Sequence, residues 1–138
     1  MLPARLPDWR RRFDAVLAAY GSRDFEWGSA DCVTLALDTM KAITGVDPFE
    51  SHRVWRNEFG SKRVMLRLGF YSIADVFSSV CPRTSASMAR AGDIGVAIDG
   101  NTKNEVAIIF DGHKIIGMAP CGLTRLPLNA ARFAYTVG

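Results

Sequence analysis

Cys32 is the residue with the clearest capacity for chemistry. It closes the stretch Trp27-Gly28-Ser29-Ala30-Asp31-Cys32 and opens the apolar run CVTLALDTMKAIT. Asp31 is a good N-cap and Gly45 a good stop, with Pro48 just beyond, so a helix over Cys32–Thr44 is expected. Its first position puts the sulfur beside unpaired backbone N–H groups and the positive end of the helix dipole, and both favour a nucleophilic thiolate. The competing reading is a small buried hydrophobe. A thiolate nucleophile also requires a general base oriented by a third polar group. Only two histidines are available. His52 follows the helix within the helical half, and His113 sits in the turn Asp111-Gly112-His113-Lys114, a hairpin tip. The chain offers a nucleophile without an evident base.

Other chemistry has weaker support. Cys32, Cys81 and Cys121 lie 49 and 40 residues apart, which does not suit a zinc or iron–sulfur site, so no metal is expected. No CxxC, GxGxxG, Walker A or EF-hand pattern occurs, and no cofactor is implied. Asp31 has a helix to cap, while Asp24, Glu26 and Asp38 read as solvent or loop carboxylates. The N-terminal MLPARLPDWRRRF has no apolar core of the secretory kind, and with an odd number of cysteines the expectation is free thiols in a reducing compartment.

The elements that must position Cys32 follow from hydrophobic period. With 138 residues, 49% apolar and 22% charged, the chain suits one globular domain, residues 1–138. Trp9, Phe13, Val16, Leu17 and Tyr20 form one helical stripe that stops at Gly21. Residues 22–30 form a connector whose apolar members are Phe25 and Trp27. After the central helix, short helices are expected over 51–59, ending at Gly60, over 62–68, capped by Ser61, and over 73–80, capped by Ser72. Past residue 91 the period shortens to strands at 94–98, 106–110, 114–118, 123–126 and 133–137, with Asp111-Gly112 a hairpin signal. The fold class is α+β, with helices of a half ending near residue 90 packed on a C-terminal antiparallel sheet. The formal charge of +3 divides into +2 over residues 1–67 and +1 over the rest, too even for a nucleic-acid footprint, and Arg10, Arg11 and Arg12 read as a solvated helix face. No stretch approaches the ~20 apolar residues of a membrane span.

Phe25-Glu26-Trp27-Gly28-Ser29-Ala30-Asp31-Cys32, Thr44-Gly45-Val46-Asp47-Pro48 and Met88-Ala89-Arg90-Ala91-Gly92-Asp93 together resemble a phage and prophage domain family. That family is related to the NlpC/p60 cell-wall cysteine peptidases and amidases, which are papain-like. The resemblance implies Cys32 at the nucleophile position, Gly92-Asp93 at the entry of the first core strand, and a catalytic histidine where Glu105 stands before Val106-Ala107-Ile108. The third polar group would come from 115–117, where only apolar residues and glycine occur. A carboxylate beside Cys32 would disfavour the thiolate. The resemblance therefore implies a degenerate, non-catalytic member: a structural component of a tailed bacteriophage or prophage virion, tail-tip associated, made in the host cytoplasm and contacting other tail proteins. Phe25, Trp27 and Asp31 would rim its groove, though a Trp27 packed beneath the central helix is the other reading. The alternative is a cysteine peptidase acting on peptidoglycan stem peptides, with Cys32 as nucleophile and an unrecognised base.

Overall fold

The hydrophobic period changes near residue 90, and the architecture changes with it. In the computed structural model, which describes residues 1–138, four helices come first: α1 (Trp9–Gly21), α2 (Cys32–Thr44), α3 (Glu58–Arg67) and α4 (Ile73–Ser78). Six strands follow: β1 (Arg83–Thr84), β2 (Ile94–Ile98), β3 (Glu105–Asp111), β4 (Lys114–Ala119), β5 (Gly122–Pro127) and β6 (Ala131–Tyr135). They form one antiparallel sheet in the order β1-β6-β2-β3-β4-β5. The fold is α+β, with α2 at its centre. No helix is long and apolar enough to cross a membrane.

Alternation along β3 sorts the two faces of the sheet. Ala107 and Ile109 join the main core with Leu35, Leu37, Met40 and Ile43 of α2 and Phe13 and Tyr20 of α1. Ile108 and Phe110 join a smaller cluster on the other face, covered by Ala86, Ala89, Leu126 and Leu128. Each fully buried leucine or isoleucine contributes about 1.5–3 kcal/mol, so α2 anchors the domain.

The segment between α2 and α3 departs from expectation. A 3₁₀ turn, Glu50–His52, replaces the helix expected over 51–59, and an irregular stretch, 53–57, follows it. Helix α3 then runs through Gly60 and Ser61 as one piece, capped by Asn57, whose side chain accepts from Gly60 N at 2.7 Å. Local propensity is overridden here because the side chains of Arg53 and Trp55 are both drawn inward to buried carboxylates. The strand pair β1 and β6 also differs: β1 is too short to show in a sequence, and β6 leaves the ladder early because Val137 N donates to Asp93 instead.

That aspartate ties the two ends of the chain together. The Arg5 guanidinium donates to Asp93 at 2.9 Å, to Ala91 O at 2.7 Å and to Val137 O at 2.9 Å. The other Asp93 oxygen accepts from Arg90 N. Gly92 sits at φ 88°, and a Cβ there would lie 2.4 Å from Ile43 Cδ1, so the Gly-Asp pair is set by packing. The ion pair is almost fully buried, at 6% and 2% side-chain exposure. Breaking such a pair from one side leaves an uncompensated charge. Asp93→Ala is expected to cost about 3–5 kcal/mol in a urea unfolding titration; a loss under about 1 kcal/mol would show that the pair is dispensable.

Candidate functional site

The approach to Cys32 is built around the Asp31 carboxylate, which is 1% exposed. One oxygen accepts from Thr34 N at 2.8 Å, closing a capping box in which Thr34 Oγ1 accepts from Asp31 N. The other accepts from Gly28 N at 2.8 Å and from Trp55 Nε1 at 2.7 Å. Asp31 therefore does cap α2, as its position predicted, but it is a buried anchor rather than a groove-rim residue. Gly28 adopts φ 88°, and a Cβ there would lie 2.1 Å from Trp55 O. The Trp-Gly-x-x-Asp box is thus a set of structural demands.

A second polar layer lies behind it. The Tyr20 hydroxyl donates to Asp38, and Arg53 Nη1 bridges Asp38 at 2.7 Å and Asp47 at 3.1 Å. Burial, then Asp38, pushes the Tyr20 hydroxyl well above its ordinary value. Asp38 is accordingly not the solvent carboxylate its sequence position suggested. Spacing carries no signal for this cluster, since its members come from α1, α2 and the loop after it.

Cys32 lines a groove of about 410 Å³ between the start of α2, α3 and the start of β3. Glu105 lines the same groove, so the structure brings the two positions together. The thiol is pushed up to about 11, first by burial and then by the Asp31 charge, against the backbone amides of Ala107, Cys32 and Val33, which favour the thiolate. The direction is the one expected, but the cause is desolvation and Asp31; Glu105 plays no part in it. The carboxylate of Glu105 accepts from Ile73 N at 3.0 Å. Together with Ser72, which caps Asp75 N, it satisfies the first turn of α4.

The remaining candidates distribute as follows. Trp27 lines the groove and is half-buried, packed edge-on against Phe25 at 5.1 Å between ring centroids; Phe25 supports the wall from behind. Neither histidine lines the groove. His52 borders a separate apolar cavity of about 30 Å³ under α3, and His113 lies exposed in the β3–β4 turn. All three cysteines are unpaired; Cys81 is a core residue whose thiol burial pushes up to about 12, and Cys121 is exposed. No group of three potential metal ligands converges anywhere in the fold. Sequence reasoning missed the α3 side of the groove, with Lys62, Met65 and Leu66, and the residues Phe70, Tyr71 and Lys103. The available signal was Phe59 and Leu66, seven residues apart with basic residues between them.

A family model described as a domain of unknown function, DUF6950, matches residues 4–137. No curated protein matches the chain.

Two measurements probe the site. Alkylation of Cys32 by iodoacetamide, followed by peptide-level mass spectrometry to separate it from Cys121, is expected to accelerate with a midpoint near pH 11; a midpoint below pH 8 would indicate an activated thiolate. Glu105→Ala is expected to destabilise the fold by about 1 kcal/mol through loss of the contact to Ile73 N, visible as a lower thermal midpoint.

Proposed function

Because the chain belongs to the DUF6950 family, whose function is not defined, its role must be read from the site, and we propose that it is a non-catalytic, papain-like domain of the NlpC/p60 type. On this reading it is a structural and interaction component of a tailed phage or prophage particle, made in the host cytoplasm and carried in the virion at the tail tip, where it contacts other tail proteins. The observation that carries the non-catalytic reading is the lining of the groove, which holds Cys32 and Glu105 but neither histidine. With the thiol held near 11, only about one part in ten thousand is thiolate at pH 7. The position implied for the base is occupied by Glu105, whose carboxylate is engaged with Ile73 N. A positioned base contributes roughly 10²–10⁴-fold, and no imidazole lines this groove to supply it. The phage setting is supported by the likeness of the Trp-Gly-x-x-Asp-Cys and Arg-x-Gly-Asp segments to phage-encoded domains.

One observation favours the second reading, a peptidoglycan-directed cysteine peptidase: the groove beside Cys32 is open and large enough for a peptide. The two readings separate on substitution. Purified protein is expected to leave peptidoglycan stem peptides intact, and Cys32→Ala to leave folding and infectivity of the particle nearly unchanged. Trp27→Ala, which removes a half-buried groove wall, is expected to reduce incorporation into particles, with a stability cost below the roughly 3–5 kcal/mol of a fully buried aromatic. If Cys32→Ala particles assemble with the mutant protein incorporated yet fail to infect, the protein is an enzyme.

A further inference from the structure

We propose that residues 56–70, which carry α3, form a flap that lifts from the fold and joins the apolar cavity beneath it to the groove beside Cys32. The inference concerns movement rather than chemistry, and it stands whether or not Cys32 is catalytic.

The polar ties of the fold bypass this segment. Every hydrogen bond made by residues 56–70 stays inside it: Ser61 N donates to Asn57 O, Gly60 N to Asn57 Oδ1 and Phe70 N to Met65 O. Its one ion pair, Lys62 with Glu58 at 3.6 Å, is internal as well. The other helices are each tied to a neighbour. The Tyr20 hydroxyl of α1 donates to Asp38 of α2, Arg53 donates to the same aspartate, and the Tyr135 hydroxyl of β6 donates to Ala74 O of α4 at 3.3 Å.

What holds α3 down is apolar contact, and that contact is incomplete. Val64, Met65 and Phe70 pack against the core, each only half-buried, and α3 buries no residue of its own. The other three helices each bury two or more. A cavity of about 30 Å³ is lined by Val64 and Leu68 of α3 and by Leu37 and Val76 of the fold beneath, and its only polar neighbours are His52 and Ser61. Side chains that border a cavity forgo dispersion contacts on that side. A segment with few buried contacts and no polar ties opens at low free energy.

The segment is pinned just outside both of its ends. Trp55 Nε1 donates to Asp31 at 2.7 Å on one side, and Ile73 N donates to Glu105 at 3.0 Å on the other. Inside the second pin, Gly69 follows α3 at φ 87°, and a Cβ there would meet nothing. Backbone conformation rather than space calls for glycine here, and a residue of this kind at the end of an element can absorb the dihedral change of a hinge. The cavity and the groove share Val33, Ser61, Met65, Phe70 and Ile73. Ser61, Met65 and Phe70 belong to the flap, so lifting it removes the partition and leaves one apolar trough over Val33 and Ile73.

Thiol labelling under native conditions tests this. Val76→Cys, in a Cys32→Ala/Cys121→Ser background, places a thiol of similar volume on α4 in the cavity wall, where Val76 is 7% exposed. Cys81, 2% exposed in the core, is the internal reference for global unfolding. With iodoacetamide and peptide-level mass spectrometry, the introduced thiol is expected to label about tenfold or more faster than Cys81. Its rate should barely change up to about 2 M urea, while that of Cys81 rises steeply. Hydrogen exchange of the unsubstituted chain supplies a second readout that needs no variant. The amides of α3 are expected to exchange about tenfold or more faster than those of α2, again with little dependence on urea. Labelling of the introduced thiol in parallel with Cys81, or equal protection of the α3 and α2 amides, overturns the proposal, because the segment then leaves the fold only when the whole domain unfolds. Fast α3 amides above a protected thiol overturn it too, since the helix then frays in place without lifting.

Discussion

The structure depends on one buried carboxylate. Removing Asp31 from water is costly, and the cost is offset by three N–H donors, from Gly28, Thr34 and Trp55, at 2.7–2.8 Å. Each donor belongs to a different part of the fold: the turn before α2, the first turn of α2, and the irregular segment before α3. The carboxylate therefore decides at once where the central helix begins, how the chain enters it, and how the segment leading to α3 is held against it. Leaving any one donor unpaired in this setting costs about 1–3 kcal/mol, so the three elements are fixed together or not at all. Arg5 and Asp93 do the same for the chain ends and the entry to β2. Both pairs of residues that carry the family resemblance, Gly28 with Asp31 and Gly92 with Asp93, are explained by these anchors without reference to catalysis.

This division accounts for what could be read in advance. Helices α1 and α2 were legible to within about a residue because their apolar stripes and glycine stops are local signals, and β2 to β5 because alternation and the Asp111-Gly112 turn are local too. The stretch before α3 was not. Its backbone leaves the helical path and delivers Arg53 to Asp38 and Asp47, and Trp55 to Asp31, partners up to 24 residues away. Nothing in the local sequence encodes those distances, and Gly60 and Ser61 imitate a stop and a restart. The site divides in the same way. Cys32 was legible as a helix start; its company in the groove was not, because Lys62, Leu66, Tyr71 and Lys103 reach it only through the packing of α3 and the β2–β3 loop.

The chemistry of Cys32 turns on a competition that position alone does not settle. A helix N-terminus stabilises a neighbouring negative charge by about 0.3–1 kcal/mol, or up to ~2 in favourable burial, which is under one pKa unit in the ordinary case and about 1.5 at most. Here burial and the adjacent Asp31 charge act the other way and win, leaving the thiol near 11. No imidazole lines the groove, and the carboxylate at its β3 end, Glu105, is committed to the first turn of α4. The shape of the groove is set elsewhere. Its walls are the start of α2, held by Asp31, and α3, held through the segment that Trp55 pins to the same carboxylate. Both walls therefore rest on one carboxylate, and the shape of the groove follows from the burial of Asp31 rather than from any group at its β3 end.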